Sequence, residues 1–432
     1  MQQVDQLKKK RAEFEERERE VHAAMQRKLN ALGNIVHESV HVDANEDNNP
    51  IVRTWGKLPE LVVDSTPGRA HHHEVLAMID GFDPRRGSKI AGHRGFFLKG
   101  MGALLNMALV NYGLHFLSKK GYTPMQTPFF MKKNIMAETC QLSDFDDQLY
   151  KISTGKDATA EDPDNEFYLI ATSEQPISAY FYNEVVDPAE MPVRFAGFST
   201  CFRKEAGASG KDTWGIFRIH QFEKVEQFVI TTPEESWAEH ERMIQVSEEF
   251  YQSLDLPYRV INIVSGALND AAAKKYDLEA WFPGYNAYRE LVSCSNCTDF
   301  QSRGLNVRML SKKTNKDEKP DKAGKKKEGA EKKDDNEKKE GDEQKEDKVN
   351  KDEKADADKA KDKDDKKEKK EEKKTSDFVH MLNGTLCATE RTLCCILENY
   401  QTDKGVVVPK VLVPYVGTDF IPYTKDMPKK EQ

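Results

Sequence analysis

One stretch of the chain, residues 311–375, most constrains how the rest can fold, because it cannot join a hydrophobic core. It consists almost entirely of Lys, Asp, Glu, Ala, Gly and Asn. So few apolar side chains cannot bury enough surface to offset the entropy lost on ordering, and we expect a disordered insertion. Its positive and negative charges are roughly balanced, which argues against a basic RNA-binding tail. The folded core must therefore come from the residues on either side.

The overall charge limits the partners that the chain can attract. The 432 residues carry a formal net charge of -8 at pH 7, so any RNA contact must come from a local basic surface and not from the whole molecule. The seven cysteines are an odd number, the first residues do not form a signal peptide, and no apolar stretch is long enough to cross a bilayer. We therefore expect reduced thiols, a cytoplasmic location and no membrane partner.

A seven-residue repeat predicts one long helix over residues 5–37. Leu7, Phe14 and Val21 occupy the same position of the repeat and form an apolar seam. Such a seam needs a second helix to cover it, and the chain supplies no second long helix nearby. Either another chain covers the seam, or a helix is missing upstream.

From residue 75 onward, short strands and helices alternate. Strands joined by hairpins and followed by one buried helix predict the α+β class, with an antiparallel β-sheet flanked by helices. No GxGxxG or GxxxxGK[ST] sequence occurs, so a nucleotide would not be held as in Rossmann or P-loop proteins. The expected helices cover 101–121, 233–254 and 385–401, and the main expected strands cover 122–131, 166–172, 193–205 and 216–230.

A predicted hairpin carries residues suited to holding a nucleotide. Arg203 and Glu205 end its first strand, a glycine-rich loop follows, and Phe222 lies in the second strand. An arginine on a rigid strand can bind a phosphate through two parallel hydrogen bonds, and a neighbouring carboxylate can accept one from an adenine amino group. An aromatic ring can stack on the base. Taken alone, these residues would also suit a charged hairpin with an aromatic core face.

Three further short sequences can contribute to such a site, and each also has a structural interpretation. Arg391 lies early in an apolar helix, where an arginine without an anionic partner is costly, or it is a surface residue of that helix. Glu290 and Ser293 can hold Mg²⁺ at phosphate oxygens, or they belong to a half-buried strand with one charged edge. The tripeptide Thr-Ser-Glu at 172–174 can bind an ammonium group and a hydroxyl, or it caps a helix N-terminus.

Together and in this order, these sequences resemble the class II aminoacyl-tRNA synthetases, and within them the eukaryotic cytosolic seryl-tRNA synthetases. GYTPMQTPFFM is similar to motif 1, the dimer-forming strand, with Pro128 as its proline. FSTCFRKEAGASGKDTWGIFRIHQFEKVEQF resembles motif 2, and LNGTLCATERTLCCILENYQ resembles motif 3. ATSEQPISAYF and LEAWFPGYNAYRELVSCSNCTDFQSR are similar to the serine enzyme in particular.

The resemblance implies an ATP site in which Arg203, Glu290 and Arg391 are the catalytic residues. Arg203 would bind the α-phosphate and Glu205 the adenine amino group, while Arg218 and Arg391 would bind the terminal phosphates. Catalysis would then consist of aligning the reactants and neutralising charge, because the carboxylate of serine is itself the nucleophile. The implied ATP-binding stretches are Arg203-Lys204-Glu205, Arg218-Ile219-His220-Gln221-Phe222, Glu290-Leu291-Val292-Ser293 and Arg391, with Phe222 stacked on adenine.

The resemblance also implies a serine pocket and a metal ion. Glu290 and Ser293 would position Mg²⁺ with ATP. A buried carboxylate such as Glu226 would be left unpaired by alanine, which lacks the serine hydroxyl, and this penalty discriminates strongly. The implied serine-binding residues are Thr172, Ser173, Glu174, Glu226, Asn383 and Thr385.

The implied organisation has four parts. Residues 1–40 would be a partial tRNA-binding coiled-coil arm with its second helix only, 41–94 a connector, 95–310 and 376–432 the catalytic domain, and 311–375 the disordered insertion. The expected partners are ATP, L-serine and tRNA(Ser), with a homodimer formed through motif 1. Structural zinc is not expected, because Cys294-x-x-Cys297 has no second ligand pair in the sequence.

Departures from the family pattern leave alternatives open. The first arm helix is absent, so the sequence is either a truncated gene model or a true short form with weakened tRNA binding. Trp214 stands in the motif 2 loop where a basic residue is common. The competing interpretations are a regulatory paralogue that lacks aminoacylation, and an enzyme that loads serine onto a carrier protein or small molecule.

Overall fold

The computed structural model describes residues 2–30, 32–58, 69–139, 148–152, 166–205, 210–310 and 376–428. The predicted disorder of 311–375 lies outside the described residues. The helices are α1 (Gln2–Asn30), α2 (His72–Met78), α3 (Pro84–Ala91), α4 (Gly100–Lys119), α5 (Lys133–Met136), α6 (Glu174–Ser178), α7 (Ser236–Ser253), α8 (Phe300–Leu305), α9 (Thr389–Tyr400) and α10 (Val413–Val416).

Strands alternate with these helices along the chain. They are β1 (Ile51–Trp55), β2 (Phe82–Asp83), β3 (Phe97–Leu98), β4 (Thr123–Gln126), β5 (Phe130–Lys132), β6 (Lys151–Ile152), β7 (Phe167–Leu169), β8 (Val185–Val186), β9 (Val193–Phe202), β10 (Gln221–Thr231), β11 (Tyr258–Asn262), β12 (Lys274–Phe282), β13 (Ala287–Asn296), β14 (Arg308–Leu310), β15 (Ser376–Phe378), β16 (His380–Ala388), β17 (Gly405–Val407) and β18 (Phe420–Pro422).

The main sheet has eight strands in the order β1-β11-β12-β13-β16-β10-β9-β4. All neighbouring pairs are antiparallel except β4 and β9, which run parallel. β9 and β10 form the long hairpin, in register from Phe202 opposite Gln221 to Val193 opposite Ile230. The predicted α+β class with an antiparallel sheet flanked by helices is confirmed.

Helices α4, α7 and α9 cover one face of the sheet and bury its apolar side chains. Leu105 and Leu109 lie one turn apart on α4 and are both fully buried, as are Phe250 of α7 and Leu393 of α9. Burial of each such side chain contributes roughly 1.5–3 kcal/mol relative to exposure. The core therefore fixes the helices against the sheet, and the opposite face near β10, β13 and β16 remains available for polar residues.

Several element boundaries differ from the sequence-based expectations. The predicted helix over 385–401 begins only at Thr389, because residues 380–388 form β16, which is hydrogen-bonded between β10 and β13. The predicted strand over 122–131 is two strands: β4 joins the main sheet, and β5 joins a separate small sheet. The predicted strand over 216–230 begins only at Gln221.

The amino-terminal helix ends earlier than expected and keeps an exposed apolar seam. α1 ends at Asn30, although the heptad repeat continues to Ile35 in the sequence. Leu7, Phe14 and Val21 are 67%, 70% and 60% exposed. Within the described part of the chain, no second long helix covers this seam.

Candidate active site

One cavity of about 390 Å³ collects most of the residues that the sequence singled out. It lies over β10, β12, β13 and β16, next to the first turn of α9 and the segment between β9 and β10. The lining residues are Thr172, Glu174, Arg203, Glu205, Ile216, Phe217, Arg218, Ile219, Phe222, Lys224, Glu226, Asn269, Lys275, Glu290, Leu291, Ser293, Ser295, Asn383, Thr385, Ala388, Glu390 and Arg391.

Strand alternation explains which side chains reach this cavity. Successive side chains of a strand point to opposite faces of a sheet, so Phe222, Lys224 and Glu226 of β10 face the cavity while Val225 is buried in the core. In β13 the register shifts by one residue beside Leu291. This bulge lets Glu290 and Leu291 both line the cavity, although they are neighbours in sequence.

Three arginines and two glutamates form the charged end of the cavity. Arg218 Nη1 donates to Glu205 Oε2 at 2.9 Å. Arg391 Nε donates to the carbonyl oxygen of Phe217 at 3.3 Å, and its Nη1 lies 3.9 Å from Glu290 Oε2. Each arginine is thus held by carboxylate or main-chain oxygens at the edge of an open space. Such an arrangement suits the binding of a polyphosphate.

Two aromatic rings lie beside these arginines. The guanidinium of Arg203 lies 5.3 Å from the ring centre of Phe222, and that of Arg391 lies 4.9 Å from the ring centre of Phe217. Arg203 Nε also donates to the carbonyl oxygen of Ala171 at 3.4 Å. Flat rings and guanidinium planes that face a cavity can accept a planar base between them.

The other end of the cavity is built around the buried carboxylate of Glu226. Its Oε2 accepts hydrogen bonds from Thr172 Oγ1, from Ser173 Oγ at 2.7 Å and from the main-chain nitrogen of Glu174 at 3.2 Å, and its Oε1 is ion-paired with Lys224. Burial alone would raise the pKa of Glu226, but the charge of Lys224 and these hydrogen bonds lower it to about 2. Glu226 is therefore ionised at neutral pH.

Glu174 lies beside Glu226 in a different environment. Gln301 Nε2 and Asn383 Nδ2 donate to its Oε1 at 2.8 and 2.9 Å. Burial and the negative charge of Glu226 raise the pKa of Glu174 to about 7. The pair therefore presents one fixed negative charge and one carboxyl that titrates near neutral pH, an environment that favours a cationic ligand.

Several predicted site residues do not present their side chains to the cavity. Val292 is fully buried on the core side of the sheet. It lies just after the bulge in β13, and its side chain points to the face opposite that of its neighbour Ser293. His220 and Gln221 line a second cavity, about 510 Å³, against α4. Lys204 is absent from the lining, and Ser173 is buried beneath Glu226. The side chains of these five residues therefore lie outside the cavity lining, and their assignment to nucleotide or serine binding stays a prediction.

The cavity also contains residues that sequence reasoning missed. Lys224 was overlooked although it lies between Phe222 and Glu226 in strict alternation, which was a usable signal. Lys275 lines the cavity from β12, and its Nζ lies 3.3 Å from Asp277 Oδ2. Phe217 and Glu390 adjoin predicted residues, but only the three-dimensional structure places their side chains in the cavity.

Glu290 and Ser293 supply the types of oxygen that Mg²⁺ prefers. Both line the cavity, and the Glu290 side chain is 46% exposed, so these residues fit a partly hydrated magnesium ion. Across the described ranges, no three His, Cys, Asp or Glu side chains converge in a metal-binding group. Cys294 and Cys297 are both buried, and burial raises the pKa of each thiol.

None of the helices that the structure describes is both long and apolar enough to cross a membrane.

Comparison with known proteins identifies the class that this fold and site define. Residues 150–322 match the family model described as tRNA synthetase class II core domain (G, H, P, S and T). A crystal structure of a seryl-tRNA synthetase from Pyrococcus horikoshii with ATP is 34% identical to this chain, covers 96% of it and 81% of its own length, and superposes with a TM-score of 0.74. The fold is that of a class II aminoacyl-tRNA synthetase.

Two eukaryotic relatives define the family more closely. The cytoplasmic serine--tRNA ligase of Dictyostelium discoideum is 50% identical over 95% of this chain and 76% of its own length. The crystal structure of the cytoplasmic ligase from Naegleria fowleri with AMP is 45% identical, covers 95% of this chain and 81% of its own, and has a TM-score of 0.75. The chain belongs to the serine--tRNA ligase family, and the predicted enzyme class is confirmed.

Proposed function

We propose that this cavity binds ATP and L-serine, joins them as seryl-adenylate and passes the seryl group to tRNA(Ser) in the cytoplasm. The proposal rests on one observation. Arg203, Arg218, Arg391 and Glu290 line one end of the cavity, and Glu226 lies at its other end. Phosphate-binding cations and an anionic amino-acid pocket are the two halves that adenylate formation requires.

At the charged end, the side chains divide the nucleotide between them. Arg203 holds the α-phosphate, while Arg218 and Arg391 hold the terminal phosphates. Phe222 stacks on adenine, and Glu205 accepts a hydrogen bond from its amino group. Glu290 and Ser293 hold Mg²⁺, which neutralises charge on the phosphates when it is bound.

At the other end, Glu226 and its partners select the amino acid. Thr172 and Lys224 already bond to Glu226, so a serine hydroxyl enters a preformed hydrogen-bond network. Asn383 and Thr385 line the pocket from β16, and Glu174 provides negative charge for the α-ammonium group. Alanine lacks the hydroxyl and cannot join this network, so it binds less tightly.

The reaction then needs alignment more than proton transfer. A carboxylate oxygen of serine attacks the α-phosphorus, and the bond from that phosphorus to the bridging oxygen of pyrophosphate breaks. The oxygen of the departing pyrophosphate takes the electron pair, and Arg203 balances the charge that grows on the α-phosphoryl oxygens. A hydroxyl of the tRNA 3′-terminal ribose afterwards attacks the seryl carbonyl carbon and displaces AMP, and the hydroxyl proton passes to the phosphate of the departing AMP.

We also propose a division of the chain and a homodimer. Residues 1–40 contribute to a tRNA-binding arm, 41–94 serve as a connector, and 95–310 with 376–432 serve as the catalytic domain. β4 lies at an edge of the main sheet, and nearby Leu104 and Met107 on α4 are 47% and 52% exposed. This apolar surface supports dimerisation through motif 1, which sedimentation equilibrium tests.

Serine-dependent exchange of pyrophosphate into ATP tests the proposal directly. Arg203→Ala should lower the exchange rate at least about 100-fold, because it removes charge stabilisation at the reacting phosphorus. Arg303→Ala is the matched control: Arg303 is a partly exposed arginine on α8, outside the cavity, and exchange should stay unchanged. Absence of exchange by the folded wild-type chain would contradict the adenylation step.

Charging of tRNA(Ser), measured in the same preparation, separates the competing acceptors. Exchange together with charging supports the ligase. Exchange without charging favours a carrier protein or small molecule as the acceptor, and absence of both favours a regulatory paralogue.

A further inference from the structure

Three consecutive histidines, His71, His72 and His73, have no part in the proposed reaction. His71 precedes α2 and the other two begin it. The ring of His72 is fully buried, and so is the side chain of Glu398 from α9. A buried histidine and a buried carboxylate within hydrogen-bond reach are costly to assemble unless each is well satisfied.

Hydrogen bonds fix the orientation and the tautomer of the His72 ring. The main-chain N–H of Ile216 donates to His72 Nε2 at 3.3 Å, so Nε2 carries no proton. The proton therefore lies on Nδ1, which is 3.3 Å from Glu398 Oε1. Glu398 is itself held, because it accepts from the main-chain nitrogens of His72 at 3.1 Å and Gly284 at 2.9 Å.

The segment that His72 touches leads directly into the ATP end of the cavity. Ile216, Phe217 and Arg218 all line the cavity. Gly215 has a φ of +60° and lies so close that a Cβ placed on it would be 2.4 Å from His72 Nε2. The His72 ring thus packs against the turn that presents Phe217 and Arg218.

The neighbouring histidines hold the other side of the same turn. The ring of Trp214 lies 5.7 Å from the rings of His71 and of His73, in edge-on contact with both. Phe217, on the cavity side, accepts a hydrogen bond from Arg391 through its carbonyl oxygen at 3.3 Å. A displacement of the turn would therefore move both Phe217 and the arginine bonded to it.

We propose that His72, oriented by the buried Glu398, is a positioning residue that sets the ATP-binding segment 216–218 through its hydrogen bond to the Ile216 N–H. The ring does not line the cavity. Its hydrogen bonds go to Ile216 and Glu398, whereas Glu226, Asn383 and Thr385 of the amino-acid end lie on β10 and β16, so we expect its effect at the nucleotide end. This inference rests on the proposed function for the identity of the ligand.

The test compares two substitutions that fill the space differently. His72→Leu removes the acceptor, and it should raise the KM for ATP in pyrophosphate exchange about 10-fold while the KM for serine stays within about twofold. His72→Gln retains an acceptor and a donor, and should recover most of the ATP affinity. His41→Leu, at an exposed histidine outside the cavity, is the control and should change neither KM.

Three results would overturn the proposal: a folded His72→Leu protein with an unchanged KM for ATP, equal increases for both substrates, or no recovery in His72→Gln. If the leucine variant does not fold, Glu398→Gln takes its place, and an unchanged KM for ATP there overturns the proposal as well. Equilibrium binding of ATP without serine provides a second measurement. ATP binding by His72→Leu and by wild type can be compared even if neither protein catalyses exchange. Failure of the proposed function can therefore be distinguished from failure of this proposal.

Discussion

At the scale of single residues, Glu174 and Glu226 are adjacent carboxylates whose surroundings push their pKa values apart. Glu226 receives hydrogen bonds from Thr172 and Ser173 and the charge of Lys224, so its ionised form is stabilised. Glu174 accepts hydrogen bonds from the amide groups of Gln301 and Asn383 and faces the charge of Glu226. Such separation lets one pocket keep a permanent charge beside a carboxyl that titrates near neutrality.

The raised pKa of Glu174 predicts that the free energy of unfolding falls as pH rises. Its pKa is raised from the ordinary 4.5 to about 7 in the folded protein, so the unfolded chain releases the proton first. The contribution of this group is fully present below pH 4.5 and is lost as pH rises through 7. Glu174→Gln should flatten this part of the profile by roughly 3 kcal/mol.

Urea unfolding of the wild type and of Glu174→Gln across this pH range measures the effect. Glu166→Gln is a suitable control, because Glu166 is more exposed and its pKa is lowered by Lys133 and Lys151. Parallel profiles for wild type and Glu174→Gln would contradict the prediction.

Residues of the candidate site could be predicted from the sequence where a charged side chain lies within a recognisable motif, as Arg203, Glu290 and Arg391 do. Val292 belongs to a predicted ATP-binding stretch, but its side chain is buried in the core, because the bulge in β13 interrupts the simple alternation of the strand. Lys275 could not be found from its own strand, because its place in the cavity depends on how β12 pairs with β13.

At the scale of elements, the close packing of α4 against the backbone at Gly81 depends on Gly102. A Cβ at this position would lie 2.3 Å from the carbonyl oxygen of Gly81. Gly102→Ala should therefore lower the free energy of unfolding by about 1–3 kcal/mol, since backbone must shift to relieve the overlap. Denaturant titration measures the change.

Gly113 of the same helix provides the matched comparison. A Cβ there would make ordinary contacts, 3.4 Å from Val225 Cγ2, and alanine is favoured over glycine inside a helix by about 1 kcal/mol. Gly113→Ala should thus be neutral or stabilising. Equal destabilisation by both substitutions would show that helix α4 tolerates no Cβ at either site, contrary to this explanation.

Element types were predictable from apolar pattern, but their limits were set by pairing. The sequence from Thr385 to Ala388 is predicted to begin a helix, yet it continues the strand β16, because β10 pairs with it as far as Ala388. The order of the eight strands could not be derived from local pattern, because it depends on contacts between distant segments.

At the scale of the whole molecule, the charged segment leaves and rejoins the fold at one place. Leu310 of β14 is paired with Ser376 of β15 across an antiparallel ladder. The entropic cost of closing a loop grows only slowly with its length. A long insertion at this position is therefore tolerated because the core already brings its ends together.

Removal of residues 311–375 should accordingly leave the catalytic domain intact. Joining Leu310 to Ser376 through Asn-Gly, a two-residue hairpin turn, should keep serine-dependent pyrophosphate exchange within about twofold of the full-length rate. A deletion variant that folds but loses exchange would assign the segment a role in activation. The same variant, assayed for tRNA charging, reports separately on any role in binding RNA.

The strand pair at Leu310 and Ser376 has a consequence for how the chain can change over time. Substitutions, duplications and losses between these two residues meet little constraint from the fold, so this stretch can drift in length while the chemistry beside it is kept. The same junction is a suitable place to insert a fluorescent reporter, because the fold already holds the two ends of the insertion side by side.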